Sequence, residues 1–378
     1  MNKRKKIAYV VSSPMTAQSF LLGYFEKLAV THDVYLIANF SGEKPTSYSF
    51  DGIVLIDISI QRKISLFKDF TGLCKLYSTF REFRFDIVHS VTPKAGLLAM
   101  LASMIAGNKN RFHTFTGQVW VNYSGFKRYC FKALDRLTSY CSTNILVDSP
   151  SQRHFLINEN IVSERKSKVL ANGSISGVDC QKFSPSENYR KELREQLGLS
   201  DAHFVFLFLG RVNRDKGIVE LLDAFERLSK DRKREMARLL IIGPDEDDIL
   251  QNIVNPNIVI RGFTTAPQKF MACADIFCLP SHREGFGSVV IEAAATGLPA
   301  IGSNIYGISD AIEDGVTGLL HKVKDPVEIV DCMRLVMDNS QMTKSLSFAA
   351  RKRALSEFSP EHITDALVEF YSNEYSKN

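Results

Sequence analysis

The sequence predicts an α/β protein made of two doubly wound domains, each with a parallel sheet between helices. The chain has 378 residues, more than one hydrophobic core usually organises. Short β-branched and apolar runs alternate with helix-type patterns, which is typical of buried parallel sheets. This alternation stops at a Gly-, Ser- and Pro-rich segment, residues 172–191, which predicts an interdomain linker. We therefore expect domains at 1–180 and 181–356, with a C-terminal helix, 357–378, packing back on the first domain.

Each domain shows its strands and helices in alternating order, bounded by turn residues. In the first, strands are expected at 6–11, 33–38, 52–58, 85–91, 111–115, 144–148 and 167–172, with helices near 16–31, 64–83, 94–107, 124–142 and 150–158. In the second, strands are expected at 204–210, 239–243, 257–262, 276–281, 299–303 and 318–322, with helices near 216–229, 267–273, 288–297, 307–313, 326–338 and 341–356. Ligands of such folds bind after the carboxyl ends of strands, in a cleft between the domains.

Composition favours a soluble cytoplasmic protein, with 45% apolar and 24% charged residues. The N-terminal apolar run IAYVV is too short for a signal-peptide core, and no window approaches the ~18 apolar residues of a membrane span. The seven cysteines are scattered and form no Cys-x-x-Cys pair, so we expect reduced structural thiols.

Charge is distributed unevenly along the chain. Residues 1–180 hold 23 Lys and Arg against 13 Asp and Glu, a net charge of +10, whereas the whole chain carries +5. This basic half predicts an anionic partner, and the absence of an RNA-binding signature favours a membrane surface over nucleic acid. The segment 62–84 places Leu66, Phe70, Leu73, Tyr77 and Phe80 at helical spacing among basic residues. It is either an ordinary amphipathic helix packed on the sheet or one that also touches anionic lipid.

The chemistry concentrates in the stretch SHREGFGSVVIEAAATGLP, residues 281–299. Glu284 lies in a Gly-rich loop after a strand, and Glu292 lies in the second turn of the following helix. If Ser288 is the N-cap, a capping box would need Glu at Ile291, so Glu292 is one residue too late to cap. Backbone N–H groups at a helix start bind phosphate, and carboxylates beside phosphate bind hydroxyls. Phosphate with a polyol predicts a nucleotide sugar.

The spacing of Glu284 and Glu292, followed by ATGLPAIGSNIYGISDAIEDGVTGLL, resembles the signature of the retaining glycosyltransferases of family 4, which have the GT-B fold. The segment FLFLGRVNRDKGIVELLDAF, residues 206–225, is similar to that family's second signature. The resemblance covers essentially the whole chain and is strongest over 204–320.

The resemblance implies roles for individual residues. Arg211 and Lys216 resemble the cations that neutralise the donor diphosphate, Glu292 the acid that binds ribose, and Glu284 the catalytic acid beside the transferred sugar. The remaining donor-binding candidates are Gly210, Gly243, Gly262, Gly285, Phe286, Gly287, Ser288 and Val289.

The resemblance implies front-face attack assisted by the departing phosphate, with no firmly established enzyme nucleophile. It also implies that no Asp-x-Asp metal site is required in this fold, so no metal and no cofactor are expected. The acidic run GPDEDD, residues 243–248, is interpreted as a solvated turn rather than a metal site.

In the first domain, His113 lies near a strand end and is either a satisfied core histidine or, by resemblance, a catalytic-site residue near the donor sugar. Lys94 either contacts an acceptor phosphate or simply starts a basic helix. Many family members have a Gly-Gly pair where this chain has SSPMTAQ, so Ser13 or Thr16 is expected to take over the acceptor-side contact.

The segments HTFTGQVW, DSPSQRHFL and LANGSISGVD resemble enzymes that build bacterial surface polysaccharides such as O-antigen and capsule. The resemblance implies transfer of a sugar, most simply an N-acetylhexosamine such as GalNAc or GlcNAc, from a UDP-sugar to a polyprenyl-diphosphate-linked saccharide. The enzyme would act as a peripheral protein on the inner face of the plasma membrane. A UDP-sugar epimerase of the same fold, or a transferase using a GDP- or UDP-hexose, is the alternative.

Overall fold

The computed structural model describes residues 4–40, 50–61 and 65–375, which form two compact units. One unit joins Met1–Ser176 with Pro360–Asn378, and the other is Gly177–Ser359. Each contains a parallel sheet with helices on both faces, so the predicted α/β class is confirmed.

The elements follow one another in the alternating order that the sequence predicts. The first unit contains β1 (Lys5–Val10), α1 (Pro14–Phe20), α2 (Leu22–Ala29), β2 (His32–Ala38), β3 (Val54–Asp57), α3 (Leu66–Phe83), β4 (Ile87–Val91), α4 (Pro93–Ala106), β5 (Asn110–Phe115), α5 (Gly125–Cys141), β6 (Asn144–Val147), α6 (Pro150–Asn158) and β7 (Ser167–Val169). The second contains α7 (Glu187–Gln196), β8 (Phe204–Leu209), α8 (Ile218–Ser229), β9 (Ala237–Ile242), β10 (Ile258–Arg261), α9 (Pro267–Cys273), β11 (Ile276–Leu279), α10 (Ser288–Ala295), β12 (Ala300–Ser303), α11 (Ile308–Ala311), β13 (Gly318–His321), α12 (Pro326–Asp338) and α13 (Ser340–Glu357). The chain then returns to the first unit as α14 (Pro360–Tyr375).

The strand order reverses once in each sheet. The orders are β3-β2-β1-β4-β5-β6-β7 and β10-β9-β8-β11-β12-β13, with parallel pairing throughout both series. The reversal lies between β1 and β4 in the first sheet and between β8 and β11 in the second. At such a switch point the two connections leave in opposite directions and open a crevice after the strands, where ligands bind.

Successive buried residues of one strand belong to different hydrophobic clusters, which explains why helices cover both faces. In β1, Ile7 and Tyr9 belong to one hydrophobic cluster, whereas Ala8 and Val10 belong to another. In β8, Val205 and Leu207 likewise pack in one cluster and Phe206 and Phe208 in a second. Because successive side chains point to opposite faces, a strand that is apolar throughout must be covered twice.

One helix that the sequence analysis did not predict begins inside the expected linker. α7 starts at Glu187, so the irregular connection within 172–191 ends at its N-cap Ser186, whose side chain accepts a hydrogen bond from the N–H of Tyr189. The helix is strongly polar and buries only Leu193 and Arg194. Its missing apolar stripe is why periodicity did not reveal it.

The single helix predicted over 16–31 is also wrong, because α1 and α2 are separated at Leu21, which departs from helical geometry. All seven cysteines are free thiols.

α14 is held to the first sheet by apolar packing and by a buried polar chain. Ile363, Leu367 and Phe370 join the cluster around β1. The Tyr371 hydroxyl contacts the Tyr9 hydroxyl at 2.8 Å and also reaches Nδ1 of His89. The other ring nitrogen of His89 lies 2.7 Å from the Thr114 hydroxyl. Polar atoms buried this deeply must remain paired, so this chain fixes where α14 packs.

We expect Tyr371→Phe to destabilise the first unit, because it removes one partner from each of two buried polar groups. Such a loss costs about 1–3 kcal/mol. Thermal denaturation, monitored by calorimetry, should give the variant a lower melting temperature than wild type. Tyr140→Phe is the matched control, since the Tyr140 side chain is 75% exposed. Equal stability of wild type and Tyr371→Phe would show that the polar chain does not hold the helix.

Candidate active site

Two predicted site residues, Lys216 and Glu284, meet at the switch point of the second sheet. Lys216 ends a short 3₁₀ turn, Arg214–Lys216, after β8, and Glu284 lies in the loop after β11. The Lys216 ammonium forms an ion pair with Oε1 of Glu284, and the Ser281 hydroxyl donates to the same oxygen at 2.9 Å. Both side chains are mostly buried. The fold therefore places a cation and a carboxylate together in the crevice where a ligand of this sheet would bind.

Gly217 allows this meeting. Its φ is +69°, a conformation that side chains disfavour, and a Cβ atom there would lie 1.9 Å from the carbonyl oxygen of Pro280. The turn that carries Lys216 thus lies directly on the loop that carries Glu284. Sequence reasoning placed both residues after strands but had no means of seeing this contact.

Arg211 lies near this pair in sequence but makes a different contact. Its Nη1 is 3.1 Å from Oε2 of Glu246, and half of its side chain is exposed. Asn213 donates to the same Glu246 oxygen at 2.8 Å.

The acidic run 243–248 is therefore more than the solvated turn that we expected. Besides the Glu246 contacts, Asp247 accepts a hydrogen bond from the N–H of Arg214, and Asp245 accepts from two N–H groups further along its own loop. In the described part of the chain, no group of three or more His, Cys, Asp or Glu side chains is arranged to hold a metal ion.

The glycine-rich loop leads into α10. The helix begins at Ser288, as predicted, and its N-cap is Gly287, at φ +82°, rather than the Ser288 that the capping-box alternative assumed. The neighbouring residues Gly285 and Phe286 are buried. A Cβ atom at Gly307 would lie 2.6 Å from the carbonyl oxygen of Gly285, so a second glycine packs closely on this loop. The N–H groups of Ser288 and Val289 belong to the first turn, where no carbonyl within the helix can accept them.

Glu292 lies in the second turn of α10, where burial raises the pKa of its carboxyl to about 7, opposed by the nearby charge of Lys182. No hydrogen bond to its carboxyl occurs among the described residues. Because Gly287 is the N-cap, N3 is Val290, and Glu292 is therefore not a capping residue.

The other donor-side glycines have different surroundings. Gly210 follows β8 and Gly243 follows β9, and a Cβ atom on Gly243 would lie 1.8 Å from the carbonyl oxygen of Gly210. Gly262 follows β10 and has open space where its Cβ would be. Of these three glycines, only Gly243 is therefore required by close backbone packing.

In the first unit, His113 is fully buried at the end of β5. Its Nδ1 lies 2.9 Å from the Ser90 hydroxyl, whereas its Nε2 has no partner among the residues that the structure describes. Burial lowers the pKa of His113 to about 3, so the ring is neutral. The ring packs on α4, where a Cβ atom at Gly96 would lie 2.3 Å from Cε1. His113 is thus a core histidine with one ring nitrogen unsatisfied.

The acceptor-side candidates lie at the switch point of the first sheet, after β1 and β4. Lys94, in the first turn of α4, forms a 2.6 Å ion pair with Asp69 of α3. Ser13 is the N-cap of α1 and Thr16 lies in its first turn, both partly exposed. Ser12 contacts the hydroxyl of Thr92 at 3.0 Å, which joins the two connections.

Thr92 has a φ of +77°. A β-branched residue rarely adopts this conformation, and such strain is concentrated at functional sites. The sequence did not single out this residue, because nothing in its local pattern signals a positive φ.

Four charged or titratable residues beside Lys216 and Glu284 also escaped the sequence analysis. Asp215 and Glu220 follow β8, whereas His282 and Arg283 follow β11. Asp215 pairs with Arg283, and Glu220 pairs with His282. Separations of more than 60 positions leave no local signal for either pair.

No helix in the described ranges combines the length and apolarity needed to cross a membrane.

Comparison with known proteins identifies the family. A family model described as glycosyl transferases group 1 matches residues 189–353, and one described as Glycosyltransferase Family 4 matches residues 25–174. The capsular polysaccharide biosynthesis glycosyltransferase CapM of Staphylococcus aureus is 32% identical over 347 residues, which cover 90% of each chain.

A second relative is the UDP-Gal:alpha-D-GlcNAc-diphosphoundecaprenol alpha-1,3-galactosyltransferase of Escherichia coli. It is 27% identical over 379 residues, covering 97% of this chain and 96% of the relative. Among solved structures, Anabaena Alr3699/HepE in complex with UDP and glucose has a TM-score of 0.81 at 19% identity, covering 98% of this chain and 100% of that one. The epimerase alternative is therefore not supported. The chain belongs to glycosyltransferase family 4, has the GT-B fold and groups with the enzymes of bacterial surface-polysaccharide synthesis.

Proposed function

We propose that the protein transfers a sugar, with retention of anomeric configuration, from a UDP-sugar to a polyprenyl-diphosphate-linked saccharide. The observation that carries this proposal is the contact between Lys216 and Glu284 beside the first turn of α10. A diphosphate needs cations and N–H donors, whereas a sugar needs an acceptor of hydroxyl hydrogen bonds. The second unit supplies both within one crevice.

In this mechanism the C–O bond between the sugar and the diphosphate breaks as the acceptor hydroxyl attacks the same face. Arg211, Lys216 and the N–H groups that begin α10 stabilise the negative charge on the departing UDP. The departing phosphate oxygen takes the proton of the attacking hydroxyl. Glu284 binds sugar hydroxyls and stabilises the positive charge that develops on the ring. Because the leaving group is already good, no protein carboxylate needs to form a covalent intermediate.

Two residues take supporting roles. Glu292 accepts hydrogen bonds from the ribose hydroxyls, or donates one while it is protonated, and its raised pKa makes both forms accessible near neutral pH. We propose His113 as a catalytic-site residue because its buried Nε2 has no partner among the described residues. A neutral ring whose pKa is about 3 contributes a hydrogen bond there rather than a charge.

The donor and acceptor classes rest on different observations. The subgroup resemblance implies an N-acetylhexosamine, whereas the E. coli relative is named for UDP-galactose. The same name specifies a diphosphoundecaprenol-linked acceptor, which supports a polyprenyl-linked substrate for this chain. Arg211 and Lys216 supply positive charge at the diphosphate, so we propose that no metal is required.

A lipid-linked acceptor calls for a surface that contacts the membrane, and exposed apolar side chains of the first unit are the candidates for it. In α3, Leu66, Phe67 and Phe70 are 85%, 79% and 64% exposed, and in α5, Phe126 and Tyr129 are 81% and 63% exposed. Gly72, Leu76 and Phe80 form the buried face of α3, and Leu73 is partly buried against the same cluster. The interpretation as a packed face therefore holds for Leu73 and Phe80, whereas Leu66, Phe70 and Tyr77 are exposed. Residues 62–64 of the segment considered above lie outside the described residues.

These exposed side chains occur together with basic residues. Lys68 on α3 and Lys127 on α5 are exposed within the same turns as Phe67 and Phe126. Helices in these βα units run antiparallel to the strands, so both N-terminal turns lie at the carboxyl edge of the sheet. Aromatic and basic side chains together suit the headgroup region of an anionic bilayer. We therefore propose that the first turns of α3 and α5 contact the inner leaflet.

Glu284→Ala should lower the transfer rate by roughly 10²–10³-fold, because it removes stabilisation of developing positive charge. Initial rates are measured in excess EDTA with UDP-GlcNAc, UDP-GalNAc, UDP-galactose and UDP-glucose, using a prenyl-diphosphate-linked saccharide as acceptor. Asp223→Ala, an exposed acid of the same unit, is the control. A near-normal rate for Glu284→Ala would remove this residue from catalysis, and loss of wild-type activity in EDTA would contradict the metal-free proposal.

Glu292→Gln should change the pH dependence of stability. A raised carboxyl pKa means that the folded state binds the proton more tightly than the unfolded state does. The stability gained from this proton is complete below the ordinary pKa of 4.5 and is lost as pH rises through about 7. The variant should match wild type near pH 4 and exceed it by up to about 3 kcal/mol near pH 8. Urea denaturation across this range measures the difference, and a constant offset would contradict the buried-carboxyl account. UDP affinity should fall in the same variant.

Phe67→Ser combined with Phe126→Ser should reduce binding to vesicles that contain about a third anionic lipid. Flotation of wild type should weaken with added salt, because electrostatic attraction is screened. Phe348→Ser is the matched control, since Phe348 is 74% exposed in the second unit. Equal flotation of the double variant and wild type, or equal binding to neutral vesicles, would overturn this membrane surface.

A further inference from the structure

Two chain segments of the second unit pair with each other beside the proposed donor site. One is 214–220, the turn after β8 and the start of α8, and the other is 280–284, the loop after β11. The backbone N–H of His282 donates to the backbone carbonyl oxygen of Asp215 at 2.8 Å. Together with the close approach of Gly217 to Pro280, this bond brings the two backbones into contact.

An ion pair flanks the Lys216–Glu284 contact on one side. Arg283 donates from Nε and Nη2 to Oδ2 of Asp215, at 3.0 and 2.9 Å. Asp215 directly precedes Lys216, and Arg283 directly precedes Glu284. Because two guanidinium nitrogens bind the same carboxylate oxygen, the pair restricts the backbone immediately before Lys216 and immediately before Glu284.

A second pair lies deeper. His282 Nε2 is 3.2 Å from Oε1 of Glu220, with the two side chains only 10% and 19% exposed. A carboxylate only accepts, so Nε2 carries the hydrogen. The other Glu220 oxygen, Oε2, is buried without a partner among the described residues. A buried carboxylate that is only half satisfied adds little stability, so another reason is needed for its presence.

We propose that Asp215, Glu220, His282 and Arg283 form a clasp that positions Lys216 and Glu284 for glycosyl transfer. The proposal rests on the function proposed above. Lys216 and Glu284 belong to separate βα connections, so their relative position depends on contacts between those connections. The clasp supplies those contacts on both sides of the pair, and its four members are positioning residues that need not touch the substrate.

The expected effect follows from geometry. A misplacement of about 1 Å at a reacting centre can lower a rate by roughly 100-fold. Since Lys216 and Glu284 both keep their charges when the clasp is cut, the loss should fall mainly on kcat. Arg211 is held by Glu246 instead, so its contribution to UDP binding should persist.

The test uses the full-length chain and the UDP-sugar that wild type turns over fastest. His282→Leu and Arg283→Met should each lower kcat by roughly 10–100-fold. Both should change donor KM and calorimetric UDP affinity by less than about fivefold, because the clasp acts through other residues.

His282→Gln retains an N–H donor near the Nε2 position and should restore most of the rate. Asp223→Asn is the control on α8, where it breaks the surface pair with Arg227. Arg283→Met also covers the case in which His282→Leu does not fold, because its pair with Asp215 is more exposed.

A double-mutant cycle separates positioning from a general structural role. In a Lys216→Ala background the Lys216–Glu284 pair whose geometry the clasp sets is already broken, so His282→Leu and Arg283→Met should each lower kcat by less than about threefold further. Losses that multiply fully in that background, or wild-type kcat in both single variants, would overturn the clasp. Failure of wild type to bind UDP would instead overturn the proposed function, and the clasp with it.

Discussion

The close approach of Gly217 to the carbonyl oxygen of Pro280 is the constraint on which the candidate site depends. Strand order brings β8 beside β11, but neighbouring strands alone leave their loops free to diverge. A side chain at position 217 would separate the turn after β8 from the loop after β11. Without one, the two backbones touch, and charged groups more than 60 positions apart in sequence become neighbours.

The fold was largely predictable because its signal is local. Thirteen runs of apolar residues predicted thirteen strands, since a buried parallel strand must be apolar on both faces. The exceptions also have physical causes. α7 has no apolar stripe, because it is held in part by a buried polar residue: the Arg194 guanidinium binds Asp275 and backbone carbonyls. The N-cap of α10 is a glycine rather than the neighbouring serine, because the loop needs a positive φ at Gly287.

The sequence proposed members for the candidate site but not their pairings. Glu284 and Lys216 follow strands and match the family's signatures, so the sequence placed them at the correct edge of the sheet. Their mutual ion pair depends on strand order, which no single stretch of sequence encodes. The contacts of Asp215 with Arg283 and of Glu220 with His282 depend on the same order, and the family signatures gave them no role.

The two glutamates of one motif illustrate how environment separates like groups. Glu284 lies where a cation and a hydroxyl reach it, so its charge is compensated within the second unit. Glu292, eight positions later, is carried by α10 into surroundings where burial outweighs the nearby lysine and raises the pKa. The first residue is suited to oppose a positive charge that appears during bond cleavage. The second, whose pKa is raised to about 7, is the residue that we propose to hold the ribose hydroxyls. This division follows from placing one carboxylate in a loop and the other on a helix, and the seven residues between them, which include the N-cap glycine, produce it.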